Sequence, residues 1–483
     1  MTGHHVDKGR TQASGRRRRK KGAPPPPSRF ARTLRLKIFS ESDLAILHQA
    51  TLAILERVGV VVEDDETRAA LLTRPGCREI KSGRLVMMPE LVEQTLETAP
   101  SKVVLYDRNG QLAMDTSDAV PRFCPGVNCI KTLDHRTGEH RACILADIAA
   151  TGRVCEALAN LDVAASLGYP SDVPPEDEAI ATVRTLVENT VKPVAFTGHD
   201  EIATRRIWHH LSEVAGGDDA LAEKPTGIDL VGPVSPLKLG GETCRRLRDA
   251  ARWSVPIVCY PALFPGMSGP ITLAGSIAQS SAETLAGLVV HQNERPGAPL
   301  MSGTAILPMD MRQADLAYGS PEYSQAGLGA AEFFDYLGLP SWVAAGCSDS
   351  HVVDQQAAAE GAANMTTAVL SGTSFVHNLG YLSAGRTGSL EMLVLADELA
   401  GMASRFASGI SVDESSVAVD VVARAAGDNS FLSDEHTYGR YLSEMWFPTL
   451  LGRSDVDRWL ESGSVALEDR LKARLDDILG SAP

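Results

Sequence analysis

Eight short apolar runs, each followed by an amphipathic stretch, constrain this chain more than any other feature. The expected strands are Arg122 to Ile130, Val163 to Tyr169, Lys192 to Thr197, Gly227 to Gly232, Pro256 to Pro261, Pro299 to Ala305, Pro340 to Gly346 and Ser374 to Gly380. From the second onward their starts lie about 28 to 44 residues apart, the spacing of β/α units. Eight such units predict an α/β fold of the TIM (β/α)8 barrel type. A doubly wound sheet would show a similar alternation. Its nucleotide-binding forms find no support, since no Gly-x-Gly-x-x-Gly follows a strand and no Walker motif occurs.

The flanks define the other parts. Residues 1–36 are basic and proline-rich, with Arg16 to Lys21 preceding Pro24 to Pro27. Such a segment has no core pattern and is expected to be a disordered tail. Its charge run could bind RNA or an acidic protein, and the solvated reading is favoured over both. Residues 37–119 read as an N-terminal α/β extension. Ser40 with Asp43 opens a helix that Gly59 ends, Val60 to Val62 and Leu85 to Met88 are short strands, and Pro89 opens a further helix. The barrel is expected over 120–400. A helical cap follows over 401–483, with helices expected at Leu390 to Ala407 and Val456 to Leu479.

Charge separates tail from body. Residues 1–37 hold 12 of the 46 Lys and Arg but only one acid, Asp7, of 61, so the remainder carries −26. That body should repel nucleic acid and anionic membranes. No run reaches the roughly 18 apolar residues of a membrane span, and no secretory leader is present. The eight cysteines form no Cys-x-x-Cys pair, which argues against a disulfide framework and a structural zinc site. A reduced cytoplasmic location is expected, with no metal ligands assigned.

In a barrel, chemistry sits at the C-terminal ends of strands. Polar and aromatic residues gather there, densest at Met309 to Arg312, Tyr318 to Glu322 and Gly346 to His351. Arg312 could clamp a carboxylate or pair with Asp310. Glu322 begins a helix, where the dipole alone favours an acid. His351 and His377 with Asp349 suggest a site, although a lone histidine is more often a hydrogen-bonded interior residue. Tyr260, Phe264, Tyr318, Tyr381 and Trp446 could be packing or the walls of a cation cage. Neither a Ser-His-Asp arrangement nor a Gly-x-Ser-x-Gly elbow can be assembled. Cys347 beside Asp349 and His351 is the alternative, as a nucleophile.

Several separated motifs resemble the trimethylamine methyltransferase (MttB) family. They are Pro340 to Asp349 continuing through Asp354-Gln355-Gln356-Ala357 to Glu360, Gly319-Ser320-Pro321-Glu322, Pro233 to Leu237, the opening helix Leu47 to Val60, His436-Thr437 and Trp446-Phe447-Pro448. The resemblance covers about 37 to 483 and implies a TIM barrel that moves a methyl group from a methylated amine to cobalt on a separate corrinoid protein. Founding members carry pyrrolysine where this chain has Gly346. Its absence implies the branch acting on quaternary amines such as glycine betaine, proline betaine or carnitine. The family reading places Glu322 and Asp349 as catalytic residues at the cationic end, and Arg312 and His351 as anchors for a betaine carboxylate. Tyr318, Phe264, Tyr260, His377 and Tyr381 are then the remaining substrate-binding residues. It implies no cofactor held tightly by this chain, with methylcobalamin or cob(I)alamin carried by a corrinoid partner docking at the barrel mouth, and a homo-oligomer. Asp349-Ser350-His351-Val352-Val353-Asp354 differs from the corrinoid lower-ligand pattern Asp-x-His-x-x-Gly at its last residue and is read as coincidence. Two alternatives stay open: a barrel that binds betaines without turnover, and a trimethylamine methyltransferase proper.

Overall fold

The computed structural model describes residues 30–427 and 430–480. The Arg16 to Lys21 and Pro24 to Pro27 runs lie outside them. Seven strands, β1 (Arg122–Pro125), β2 (Val194–Phe196), β3 (Gly227–Val231), β4 (Ile257–Cys259), β5 (Leu300–Gly303), β6 (Ser341–Ala344) and β7 (Phe375–Leu379), form one sheet. Its order is β1-β7-β6-β5-β4-β3-β2, parallel throughout.

Residues 161–168 close the gap between β1 and β2. Leu161 pairs with Phe123 and Ala164 with Val194. The Ala164 N–H donates to the Pro193 carbonyl at 2.8 Å, and the Ala195 N–H to that of Ala164 at 2.8 Å. The expected second strand is therefore present as isolated bridges only. The cause is local. The Asp162 carboxylate takes the Phe123 N–H at 3.0 Å, and Leu167 turns to a left-handed φ of 62°.

Alternation along the strands builds two layers. Cys124, Ala195, Ile228, Val258, Met301, Trp342 and Phe375 fill the barrel interior with Val163. Their neighbours Ile257, Cys259 and Leu300 face one half of the helix ring, and Val343 and Val376 the other. Both faces are buried, which is why these runs read as apolar throughout.

The N-terminal extension seals one end. The hairpin Val104–Tyr106/Leu112–Asp115 places Val103, Leu105 and Met114 in the interior cluster. Its backbone bonds to Pro225 and Val191, just before β3 and β2, so it covers the N-terminal ends of the strands. Helix α1 (Glu41–Arg57) opens with the expected Ser40/Asp43 capping box, and Pro89 starts Pro89–Thr98 as expected. Residues 30–36, assigned to the tail by composition, instead run along the barrel. Arg32 is 7% exposed and donates to the carbonyls of Val369, Gly372 and Thr373. It caps a helix more than 330 residues away, a partner that local composition cannot reveal.

The ring helices are α2 (Leu145–Ala157), α3 (Pro175–Asn189), α4 (Glu201–Ala215), α5 (Gly241–Trp253), α6 (Leu273–Glu294), α7 (Pro321–Tyr336), α8 (Gln355–Ser371) and α9 (Leu390–Ala407). Several start on a side-chain cap. Asp200, Ser320, Asp354 and Ser389 accept from the N–H groups of Ala203, Tyr323, Ala357 and Met392. The expected helix Val456 to Leu479 divides into Val456–Glu461 and α10 (Leu467–Gly480). Only α10 and the Thr449 to Leu451 turn cap the barrel, against α9; residues 410–447 lie mostly in solvent.

Candidate active site

Tyr260 just beyond β4, Trp342 in β6 and His377 in the middle of β7 bring three rings together. Tyr260 stacks on Trp342 with centroids 4.9 Å apart and planes 29° apart. His377 lies 5.6 Å from Trp342 and 6.2 Å from Phe375. Strand β5 runs between β4 and β6 and would part the stack if it carried a side chain there. It presents Gly303, where a Cβ would sit 3.1 Å from the Trp342 ring and 3.4 Å from the Tyr260 Cβ. His377 and the Trp342 Nε1 are buried without a well-formed hydrogen bond. Burial holds the His377 imidazole down at about 3, so it is uncharged at neutral pH. Burial raises the Tyr260 phenol, with Arg246 opposing and Asp229 reinforcing, and it raises those of Tyr169 and Tyr318 as well. These aromatic groups thus present neutral rings.

A second group joins the loops after β5 and β6. Both Asp349 oxygens accept backbone N–H groups, Tyr318 at 2.7 Å and Gly319 at 2.8 Å. Burial raises the Asp349 pKa against those bonds. Glu360 accepts from the Ser348 hydroxyl at 2.6 Å and the Asp349 N–H at 2.9 Å. Gly319 passes so close that a Cβ would strike the Glu360 carboxylate. Tyr318 stacks on Tyr323 at 4.9 Å.

The other sequence candidates separate. Tyr381 is a latch between β7 and β1. Its hydroxyl accepts from the Val127 and Asn128 N–H groups and donates to the Asn128 Oδ1 at 2.5 Å. Arg312 is exposed near the tip of the hairpin Met309–Asp310/Asp315–Leu316. Asp310 bonds the Arg312 backbone at 2.8 Å, not its guanidinium. His351 is exposed, with Nδ1 2.9 Å from the Ser383 hydroxyl. Glu322 is exposed in the first turn of α7. Phe264 is half-buried against the outer core. Trp446 lies outside the aromatic cluster, under the Arg453 guanidinium at 5.4 Å. Cys347 is fully buried, and burial pushes its thiol up to about 12, so it is no thiolate nucleophile.

Two groups were not singled out by sequence. Trp342 stands in a quoted motif, and the period-2 register that puts His377 inside the barrel puts it there too. Tyr169 lies 5.5 Å from His199, which pairs with Glu178. No local pattern marks that trio, since its members come from three separate segments.

The loops around this site carry exposed apolar side chains. Ile130, Ile202, Val234, Met267, Ile271, Met311 and Val352 follow six different strands, and each is about half exposed or more. Elsewhere on the barrel segment, Val214 and Tyr336 lie at the far ends of α4 and α7. The segments that follow the strands thus ring the aromatic cluster with apolar side chains.

The family model for trimethylamine methyltransferase (MTTB) matches residues 7–482. The chain belongs to the trimethylamine methyltransferase family. It is 29% identical over 427 residues to the trimethylamine methyltransferase MttB of Desulfitobacterium hafniense (strain DSM 10664 / DCB-2), covering 88% of this chain and 86% of that protein. It is also 29% identical over 455 residues to the glycine betaine methyltransferase of Desulfitobacterium hafniense (strain Y51), covering 92% and 93%. The trimethylamine methyltransferase MttB of Methanosarcina barkeri (strain Fusaro / DSM 804) is 28% identical over 466 residues. In fold, the chain is similar to the crystal structure of the hydroxylamine MtmB complex, with a TM-score of 0.50, 11% identity, and coverage of 90% and 92%. In this family member Gly346 has a left-handed φ of 70°. A Cβ there would meet Leu379 at 2.8 Å and Met365 at 2.9 Å, in the layer outside the barrel. Glycine at 346 therefore has a structural cause of its own.

Proposed function

We propose that this protein moves a methyl group from a quaternary amine of the glycine betaine, proline betaine or carnitine type to the Co(I) of a separate corrinoid protein in the cytoplasm. The observation that carries this reading is the cluster of neutral rings, Tyr260, Trp342 and His377, with exposed apolar side chains on the segments that follow the strands. A trimethylammonium group is attracted to ring faces and repelled by cations. Tyr260 and Trp342 supply faces, and His377 contributes no positive charge. The glycine betaine methyltransferase among the relatives supports the substrate class.

The partner's cobalt supplies the nucleophile. A quaternary nitrogen needs no protonation, because the C–N bond breaks with its electron pair staying on nitrogen and a neutral tertiary amine departs. This chain is left with positioning: holding one methyl toward the opening and keeping water from the ammonium. The apolar ring suits a partner protein face that covers these rings. Arg312 and His351 on the rim are the anchors for a carboxylate. Asp349 acts through the Tyr318 and Gly319 backbone, and Glu322 adds negative charge beside it.

The test is methyl transfer to free cob(I)alamin from a panel of betaines, tetramethylammonium and trimethylamine. Turnover with betaines and not with trimethylamine is expected. Transfer from trimethylamine alone, or binding of betaines without transfer, overturns the reading. Arg312→Ala should raise KM for a betaine far more than for tetramethylammonium; equal losses would remove the anchor role.

A further inference from the structure

A cleft of about 430 Å³ lies between α4, the short helix Asp218–Glu223, the end of α5 and the turn after α6. Small-molecule pockets span roughly 300–1,000 Å³. The segments that line it lead into β3, β4 and β5, so it sits at the strand N-termini, away from the segments that follow the strands. Its floor is apolar, since Trp208, Leu221 and Val255 are buried. One wall is a ring pair, Trp253 and His209, with centroids 5.5 Å apart and planes 57° apart.

Three charges that line this cleft have no counter-ion. Asp219 and Glu223 stand one turn apart and pair with no cation among the described residues. Acids at that spacing repel, and Glu223 sits at a helix end where the dipole disfavours it. The adjacent Lys224 ammonium lies over the Tyr106 ring, 5.7 Å from its centroid. Arg295 pairs with no carboxylate among the described residues; its Nη1 donates to the Arg252 carbonyl at 3.3 Å. The other two charged groups of the lining are engaged. Arg252 donates to Glu294 at 2.6 Å, and Asp218 accepts from the Ser212 hydroxyl.

A simple cation would meet Arg295 there, and a simple anion would meet Asp219 and Glu223. A zwitterion satisfies both. Carboxylates also favour an ammonium that has an N–H to donate, which a quaternary nitrogen lacks. We propose that this cleft binds a small zwitterion bearing a protonated amine. Its ammonium lies on Asp219, Glu223 and the Trp253 face, and its carboxylate on Arg295. The demethylated product of a betaine is such a molecule. That identification, unlike the site, rests on the function proposed above. Binding here registers product without occupying the place where the methyl reacts.

Tryptophan fluorescence of the full chain, titrated with N,N-dimethylglycine, tests this. A saturable change is expected, and Trp253→Phe should remove the part that Trp253 reports. Glu223→Gln and Arg295→Gln should each weaken that part about tenfold. Both side chains are exposed, so both variants should fold, with methyl transfer unchanged. Glycine betaine should give about tenfold weaker binding at Trp253. A ligand that leaves the fluorescence unaltered still raises the thermal midpoint of the unaltered chain more than that of the variants. Glycine binding as tightly as dimethylglycine supports the site and assigns it to amino acids at large. A titration identical in the unaltered chain and both variants, betaine binding as tight as dimethylglycine at Trp253, or neither a fluorescence nor a midpoint change would each overturn the proposal. Binding intact in a chain that transfers no methyl group from any betaine would keep the site and remove the product assignment alone.

Discussion

Tyr260 and Trp342 meet across an intervening strand that carries Gly303 between them, where a Cβ would crowd both rings. Gly126 performs the same service for Tyr381, since a Cβ at 126 would lie 1.9 Å from that ring. Gly126→Ala should therefore expel Tyr381 and free the Val127 and Asn128 amides. Overpacking of this kind costs about 1–3 kcal/mol, and the lost hydrogen bonds add to it. An unfolding free energy in urea lowered by that amount checks the prediction; an unchanged value would deny the latch. Residue identity at these positions was legible in the sequence, as aromatics and glycines at strand ends. Their roles were not. Tyr260 and Tyr381 are both tyrosines just beyond a strand, yet one joins a ring stack and the other closes the barrel. Only the neighbour across the sheet distinguishes them.

Asp349 ties two elements, the turn after β6 and the turn before α7. Asparagine offers one carbonyl oxygen where aspartate offers two. Asp349→Asn should leave one of the Tyr318 and Gly319 amides unpaired, a loss of about 1–2 kcal/mol confined to that loop. Hydrogen exchange should then speed up roughly tenfold at residues 316–322, with the global midpoint moved far less. Uniform acceleration across the barrel would place Asp349 in the core stability instead. At this scale the sequence was informative where local rules govern. The Ser40/Asp43 box, Pro89 at a helix start and α9 itself lie where pattern and capping put them. It was least informative where a distant group competes. Arg32, which composition assigns to solvent, is held by carbonyls at the end of α8.

For the whole molecule, stability should depend on pH through histidines buried neutral. His291 and His377 are fully buried, and burial holds each down at about 3. Unfolded histidine titrates near 6.5. Between those values the unfolded chain binds a proton that the folded chain does not, so stability falls as pH falls through about 6.5. Each histidine contributes up to about 1.4 kcal/mol per pH unit. His291 lies near the C-terminus of α6, away from the aromatic cluster. His291→Leu should make the stability lost between pH 7.5 and 5.5 about 1.4 kcal/mol smaller than in the unaltered chain, read from urea midpoints; an equal loss would mean that His291 is protonated in the fold. The sequence by itself determined the barrel and the family, because β/α alternation and ordered motifs are properties of the chain read locally. The tertiary structure alone decided which of these aromatic groups face one another, that Arg312 and His351 on loops and Glu322 at the start of α7 lie exposed, and that residues 410–447 stand mostly in solvent. Those are relations between residues hundreds of positions apart, fixed by how strands close and what helices cover.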